Sequence, residues 1–400
     1  MNGIDLAQVS RLFDRLKGFD VIVDRDLDSM SSSFEAVDYK RCLIICQWLL
    51  DSVWEKLNTG HWKDVEDKWR ELYYVASHYK SVCENKLGKD IAQSVRSCDM
   101  GILLGVKPPD WPSLTKVAAE FTKMKDVTTK DGHCDSHFSG NRAVEEHGSM
   151  MYADAALAME SQHLVPRVSC PSLETFERDY LNPGNPVVLT GCMDHWPALT
   201  KWNLPYIERV AGMRTVPVEI GSRYTDVNWS QQLITVSQFI DRFMKGTKSG
   251  STPSLDKGYL AQHQLFDQVP ELFMDISIPE YCCLGNNIDP DVNAWFGPEG
   301  TISPLHQDPK SNLLCQVVGS KYVKLCSPEQ SEYLYPNEGV LSNTSQIDAE
   351  CLDIHKFPLI SKARFEHAVL QPGEMLYIPP KHWHYVRSLS ISFSVSFWWQ

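Results

Sequence analysis

Residues 301–325 read TISPLHQDPKSNLLCQVVGSKYVKL, and both the fold and the chemistry of the chain depend on this stretch. His306 and Asp308 are separated by one residue, and Lys321 follows further along the same stretch. Residues i and i+2 of a β-strand point to the same side, so we expect His306 and Asp308 to project into one cavity. Two histidines and one carboxylate, with the remaining coordination positions open, suit a non-haem Fe(II) oxygenase.

A third metal ligand is expected from residues 373–399, GEMLYIPPKHWHYVRSLSISFSVSFWW. His384 is the candidate, and His382 is its rival two residues earlier. The pattern His-x-Asp alone arises often by chance, and His306 could equally be a core histidine paired with Asp308. The prediction of a metal site at His306, Asp308 and His384 therefore depends on the two segments meeting in space.

Lys321 is the candidate for binding an anionic co-substrate. A bidentate 2-oxo acid would occupy two metal positions, and its far carboxylate needs a cation in an otherwise apolar pocket. Lys321 precedes an apolar strand pattern and could supply that cation. Lys324 competes for the role, and the alternation of the sequence does not decide between the two lysines.

The first 120 residues or so are predicted to be helical, because apolar residues recur there at spacings of three and four. Helices are expected at 39–57, 64–82 and 89–104, and their apolar stripes indicate a packing or interaction domain. Polar residues without periodicity then suggest a linker. The predicted organisation is a helical domain at 1–122, a flexible linker at 123–163 and a catalytic domain at 164–400.

Many short strands bounded by Gly and Pro follow from about Arg167, with interleaved helices expected at 173–180, 236–244 and 327–334. In the last predicted strand, 390–397, serines alternate with Ile391, Phe393, Val395 and Phe397, which gives one small polar face. The fold class is therefore α+β, with an all-helical domain followed by a double-stranded β-helix, a cupin-like jelly roll with flanking helices.

Composition excludes several classes of protein. The net charge of -13 argues against direct nucleic-acid binding. The 12 cysteines form no CxxC pairs, which favours reduced thiols over a zinc ribbon or a disulfide framework. No apolar run approaches the roughly 20 residues of a membrane span, and the charged N-terminus does not have the features of a signal peptide.

Four motifs, in order, resemble the Jumonji-C oxygenases: PVVLTGCMDHWPA at 186–198, NAWFGPEGTISPLHQDP at 293–309, the spacing to Lys321, and YIPPKHWHYV with SFSVSFWW near the C-terminus. The resemblance covers most of the chain, the helical region included. It implies Fe(II) held by His306, Asp308 and His384, with O2 and 2-oxoglutarate as co-substrates. The residues it places around 2-oxoglutarate are Lys321, Asn312, Ser303, Tyr259 and Trp398. Where the family commonly has two tryptophans before the last ligand, this chain has His382 and Trp383.

The resemblance also suggests a substrate. A guanidinium pairs with a carboxylate and stacks on an aromatic face, and Glu219 and Trp295 match family positions near a target arginine. Their ordinary roles would be a solvated strand residue and a core residue. The expected activity is hydroxylation of an arginine side chain in a protein, with release of succinate and CO2.

Three further functions remain open at this point: histone methyl-lysine demethylation by the same oxidant, a histone-tail peptidase, and a catalytically silent interaction module. No Ser-His-Asp order or HExxH motif supports the peptidase directly. The resemblance implies a nuclear chromatin regulator, also present in the cytoplasm, whose partners include histone or chromatin-associated proteins. The helical domain is expected to bind protein.

Overall fold

The computed structural model describes residues 15–59, 64–129, 163–221, 229–245, 257–286 and 289–400. The chain divides into two compact units. The first unit runs to residue 139 and also takes in 213–215 and 267–269, and the second comprises the remainder. Most of the predicted linker lies outside the described residues, and its boundaries at 123 and 163 stay predictions.

The first unit is a stack of amphipathic helices. They are α1 (Val21–Glu35), α2 (Tyr39–Leu57), α3 (Asp67–Lys86), α4 (Ile91–Leu104) and α5 (Leu114–Thr129). Aspartate side chains accept hydrogen bonds from free backbone N–H groups at three N-termini, with Asp20, Asp38 and Asp90 as the caps. The buried stripes of α1 to α5 share one apolar core. The helices predicted at 39–57, 64–82 and 89–104 are confirmed, with ends shifted by up to four residues.

The second unit contains thirteen strands among the described residues. In chain order these are β1 (Arg167–Ser169), β2 (Val187–Thr190), β3 (Thr215–Ile220), β4 (Ser230–Thr235), β5 (Gly258–His263), β6 (Asp291–Gly297), β7 (Ile302–Gln307), β8 (Ser311–Val318), β9 (Lys321–Cys326), β10 (Glu366–Leu370), β11 (Met375–Ile378), β12 (Trp383–Ser388) and β13 (Ser392–Trp399). They form a nine-stranded sheet in the order β1-β2-β11-β8-β13-β6-β5-β3-β4 and a four-stranded sheet in the order β10-β9-β12-β7. The predicted jelly roll and the α+β class are confirmed.

Short helices flank the sheets. They are α6 (Leu173–Phe176), α7 (Ala198–Lys201), α8 (Leu204–Ala211), α9 (Val236–Phe243), α10 (Leu265–Gln268) and α11 (Pro270–Phe273). The helix expected at 173–180 changes after Phe176 into a π-helical turn, Glu177–Leu181. The segment expected as a helix at 327–334 is a 3-10 helix, Pro328–Leu334, which ends at Tyr335 in the left-handed conformation with φ 47°. Further 3-10 turns are Glu280–Leu284, Gly339–Leu341 and Pro358–Lys362.

Strand alternation in β13 separates two environments. Phe393 packs on Trp202 and Phe296, on the face of β13 opposite the serines. The serines of the other face are fully buried, and Ser394 and Ser396 hydrogen-bond to Gln316 and Trp295. Because Trp398 has the parity of these serines, its side chain lies on the same face as theirs.

Candidate metal centre and co-substrate pocket

His306, Asp308 and His384 converge at the mouth of a cavity in the second unit. One ligand atom from each residue lies within 4.8 Å of the others. The Nε2 atoms of His306 and His384 are 3.8 Å and 3.6 Å from Asp308 Oδ2. Among the described residues, these three form the one group of at least three His, Cys, Asp or Glu side chains able to hold a metal ion.

Strand pairing produces this convergence. His306 is on β7 and His384 is on β12, and the antiparallel register places them directly opposite each other. Side chains opposite each other in an antiparallel pair share a face, and the two imidazole centroids are 4.1 Å apart. Asp308 follows the end of β7, where its backbone carbonyl accepts a hydrogen bond of 2.6 Å from the Lys381 N–H.

Backbone carbonyls orient both imidazole rings. The Nδ1 atoms of His306 and His384 hydrogen-bond to the carbonyls of Pro304 at 2.6 Å and His382 at 3.0 Å. An Nδ1–H that donates to a carbonyl leaves Nε2 as a lone-pair ligand, which is the usual arrangement at metal sites. Burial, together with the neighbouring His306, lowers the pKa of His384 to about 4 and keeps the ring neutral.

The rival histidine lies elsewhere. His382 is buried and does not belong to the group of three. Its Nδ1 has no hydrogen-bond partner among the described residues. The structure therefore brings His384, rather than His382, to His306 and Asp308.

Lys321 lies deep in the same cavity, whereas Lys324 does not. The Lys321 side chain is 1% exposed, and its Nζ donates a hydrogen bond of 3.2 Å to the Tyr259 hydroxyl. Burial lowers the pKa of Lys321 to about 7. Lys324 Nζ donates instead to the carbonyl of Ala349 at 3.1 Å. The two lysines are an odd number of positions apart on β9, so their side chains point to opposite faces.

The remaining candidate co-substrate residues line the cavity with Lys321: Ser303, Asn312, Tyr259 and Trp398. Asn312 Oδ1 and Trp398 Nε1 are buried without a hydrogen-bond partner among the described residues. Buried polar atoms of this kind carry a cost unless a ligand or water satisfies them. A buried lysine, an amide, an indole N–H and a hydroxyl beside two histidines and a carboxylate are chemically suited to Fe(II) and a dicarboxylic 2-oxo acid.

The two candidate substrate residues are placed differently. Trp295 lines the cavity, and its Nε1 donates to Ser396 Oγ at 2.8 Å. Glu219 is on β3 opposite Tyr259 on β5, and it is not among the residues that line the cavity. Burial raises the pKa of the Glu219 carboxyl, and a hydrogen bond with Trp229 opposes that effect.

Several residues at the site were not expected. Leu314, Ile378 and Val386 form the apolar wall of the cavity, and their only sequence signal was strand alternation, which every buried strand shares. Trp229 is the hydrogen-bond partner of Glu219. It lies among polar residues in the sequence, and no motif or periodic pattern there indicated a role at the site.

Comparisons with known proteins agree with this geometry. Residues 173–400 match the cupin-like domain family, and residues 46–126 match the KDM8-like N-terminal ARM repeats. The lysine-specific demethylase 8 of Danio rerio is 48% identical over 362 residues, which cover 88% of this chain and 86% of that protein. The chain belongs to the Jumonji-C family.

Other Jumonji-C relatives match over similar lengths. The lysine-specific demethylase 8 of Xenopus tropicalis is 41% identical over 399 residues, covering 90% of this chain and 89% of the relative. The Jumonji C domain-containing protein 5 of Drosophila melanogaster is 41% identical over 363 residues, covering 88% of this chain and 85% of the relative.

Membership has two consequences for this chain. The Jumonji-C cupin domain is that of a 2-oxoglutarate-dependent dioxygenase, and it implies dependence on Fe(II) and 2-oxoglutarate. The ARM repeats suggest a role in protein interaction. Within the described residues, no helix has both the length and the apolar character that a membrane crossing requires.

Proposed function

We propose that this protein hydroxylates a carbon of an arginine side chain in a protein substrate. The observation that carries the proposal is Glu219, a partly buried carboxylate that no described cation pairs with and that lies opposite Tyr259, a residue of the cavity wall. Burying a carboxylate is costly unless a partner compensates it. A substrate guanidinium supplies both the charge and a bidentate pair of N–H donors.

Aromatic side chains support the same substrate. Trp295 and Tyr259 line the cavity, with ring centroids 6.2 Å apart. A planar guanidinium stacks on aromatic faces, and it is less strongly hydrated than an ammonium group. The carboxylate and the two rings therefore favour arginine over unmodified lysine.

The residues of the chain have distinct tasks in this proposal. His306, Asp308 and His384 hold Fe(II), and Lys321 and Asn312 bind 2-oxoglutarate with Ser303, Tyr259 and Trp398. With O2, that centre supplies the oxidising power for C–H hydroxylation, with release of succinate and CO2. Glu219 and Trp295 position the target carbon, and the apolar wall of Leu314, Ile378 and Val386 excludes water from the reaction.

The experiment compares wild type with Glu219→Gln on an arginine-containing peptide, with Fe(II), 2-oxoglutarate and O2 present. Loss of a charge-assisted pair costs about 1.5–3 kcal/mol, so kcat/KM for the peptide should fall roughly 10-fold to 100-fold. Turnover of 2-oxoglutarate without peptide should change little. Mass spectrometry follows the peptide, and succinate is quantified separately.

Glu280→Gln serves as the control, because Glu280 is exposed. It should leave kcat/KM within about twofold of wild type, as expected of a surface change. An equal fall of kcat/KM in both variants, or an unchanged kcat/KM in Glu219→Gln, contradicts the role proposed for Glu219.

Methyl-lysine demethylation is the second candidate, and the names of the Danio rerio and Xenopus tropicalis relatives, both lysine-specific demethylase 8, favour it. Hydroxylation of an N-methyl group releases formaldehyde, so the same assay distinguishes the two activities. Gain of one oxygen on arginine supports the proposal, and loss of methyl from lysine with formaldehyde supports the second candidate.

A peptidase and a catalytically silent module would each give a different result. Histone-tail cleavage that does not need 2-oxoglutarate would indicate a peptidase. Turnover of 2-oxoglutarate that is unchanged in a variant carrying both His306→Ala and Asp308→Ala would indicate a silent module. As part of the proposal, chromatin-associated proteins are substrates and the protein resides in the nucleus, with a cytoplasmic fraction; imaging of the tagged chain tests the location.

A further inference from the structure

Two cysteines meet just beyond the ends of β1 and β2, at one edge of the nine-stranded sheet. The two strands are parallel, and their last register pair is Ser169 with Thr190. Cys170 follows Ser169 directly, and its backbone N–H donates a hydrogen bond of 2.9 Å to the Thr190 carbonyl. The Cys192 Sγ lies 3.6 Å from the same carbonyl oxygen. One carbonyl therefore contacts both cysteines, Cys170 through its backbone and Cys192 through its thiol.

The backbone turns at this point, and the turn brings the two thiols together. Continuing the register would set Gly191 opposite Cys170, but Gly191 has a φ of +75°, a left-handed conformation that glycine adopts readily. Cys170 also has a positive φ, of 38°, which is uncommon for other residues and occurs mainly at functional sites. The Cys192 thiol interacts directly with Cys170. Adjacent strands lie about 4.8 Å apart, within the Cα separation of about 4.4–6.8 Å that a disulfide joins.

The two cysteines differ in their access to solvent. Cys170 is exposed, whereas Cys192 is half-buried. The Tyr281 hydroxyl lies 3.6 Å from Cys192 Sγ and donates its proton to the Pro171 carbonyl at 2.8 Å. Burial raises the pKa of the Cys192 thiol to about 11; contact with Tyr281 opposes this rise, and Cys170 adds to it. An oxidant in solution therefore reaches Cys170 first, and Cys192 is a protonated thiol next to it.

We propose that Cys170 and Cys192 are a redox-active pair, in which Cys192 converts oxidised Cys170 into a reversible disulfide. The oxidant is a hydroperoxide such as hydrogen peroxide. The Cys170 sulfur attacks the O–O bond, which gives a sulfenic acid and releases one water. The Cys192 sulfur then attacks the sulfenic sulfur, and the departing hydroxide takes the Cys192 proton as a second water. Two thiols and one hydrogen peroxide thus give one disulfide and two waters.

The position of Cys192 limits the damage that a peroxide does to Cys170. A sulfenic acid without a thiol beside it is oxidised further to a sulfinic acid, which ordinary thiol reductants do not reverse. A sulfenic acid beside a thiol condenses to a disulfide, which thiol–disulfide exchange returns to two thiols. The disulfide would also join the ends of β1 and β2 covalently for as long as it persists.

The test oxidises the full chain with hydrogen peroxide, after reduction and with a chelator present so that free iron does not consume the peroxide. Remaining thiols are alkylated with N-ethylmaleimide, and peptide mapping under non-reducing conditions locates each modification by mass spectrometry. We expect a peptide joined through Cys170 and Cys192, with the loss of two hydrogens, to be the main product. Treatment with dithiothreitol should return both residues to thiols that N-ethylmaleimide alkylates.

Cys192→Ser separates the pair from an ordinary exposed thiol. In this variant Cys170 should give a sulfenic acid that dimedone traps, and at higher peroxide at least about fivefold more sulfinic acid than in the parent. Serine is close to cysteine in size, so an unchanged Tm shows that the fold is retained.

Cys351→Ser is the matched control, because Cys351 is also exposed; it should form the linked peptide as the parent does. The proposal is overturned if Cys170 and Cys192 remain separate thiols, if either is linked to Cys283 instead, or if sulfinic acid at Cys170 is the same with and without Cys192. No iron-dependent activity is measured, so the result is independent of the proposed hydroxylation.

Discussion

At the scale of single residues, Lys321 shows how one buried charge defines a binding site. Its ammonium shares the cavity with Tyr259, Asn312 and the apolar wall, with no described carboxylate as an ion-pair partner. A buried cation without a counterion destabilises the folded chain. A bound dicarboxylate would supply the missing counterion and offset this loss of stability.

Lys321→Met should therefore stabilise the metal-free and co-substrate-free protein while abolishing binding of 2-oxoglutarate. The pKa of Lys321 is about 7 in the fold and about 10.4 when unfolded. Below about pH 7 Lys321 is protonated in both the folded and the unfolded chain, so the buried charge destabilises the fold by its full amount. Above it the unfolded chain binds more protons, so the free energy of unfolding of wild type rises with pH.

Denaturant unfolding of both proteins at several pH values measures this effect. The stability advantage of Lys321→Met should shrink by about 1–3 kcal/mol between pH 7 and pH 9. Tyr259 and the metal ligands are common to both proteins, so their titration largely cancels in the difference. If the difference in free energy of unfolding between wild type and Lys321→Met stays constant from pH 7 to pH 9, Lys321 remains charged in the folded protein without ligands.

The two histidines near the C-terminus provide a second test at this scale. His384→Ala should reduce the affinity for Co(II), used as a spectroscopic substitute for Fe(II), by at least about 100-fold, since one of three ligands is lost. His382→Ala should retain the affinity within about threefold. Absorbance titrations of both variants measure it, and the reverse order of effects would assign the ligand to His382.

At the scale of elements, the turn between β8 and β9 sets the spacing between Asn312 and Lys321. Gly319 in this turn has φ +68°, and a Cβ there would collide with the Ile391 carbonyl and Ser390 Oγ. The positive φ and the close approach of another backbone both require glycine.

Gly319→Ala should destabilise the protein by roughly 3 kcal/mol, which combines left-handed strain with overpacking, and it should raise KM for 2-oxoglutarate. Gly184→Ala is the control: its φ is +69°, and an added Cβ would meet no atom closer than Pro379 Cβ, at 4.0 Å. It should cost only about 1 kcal/mol. Thermal and denaturant unfolding measure the stability of both variants. Similar losses of stability would mean that the turn at Gly319 rearranges to accommodate the added methyl group.

The sequence predicted the type of most elements, because periods of two and 3.6 residues are local properties. It located α2 to α4 and the alternation of β13 for that reason. The register that places His384 opposite His306 is a pairing between distant segments, and no local pattern contains it. The choice between Lys321 and Lys324 likewise required knowing which face of β9 meets the cavity.

At the scale of the whole molecule, the chain combines a cupin-like jelly roll with N-terminal ARM repeats that suggest a role in protein interaction. The motifs singled out the candidate metal and co-substrate residues because that chemistry restricts the residue types, and the structure brings those candidates together at one cavity. Glu219 remains the least constrained assignment from sequence, because a strand carboxylate is common.

The central claim is that the oxidising power of this centre is directed at arginine. The most direct measurement incubates the full chain with Fe(II), 2-oxoglutarate, O2 and matched peptides that contain arginine, trimethyl-lysine or neither. Tandem mass spectrometry locates the modification, and succinate is counted against it. We predict one oxygen added to the arginine side chain per succinate above the peptide-free background, and no such product with Lys321→Met. Demethylated lysine with unmodified arginine would contradict the claim.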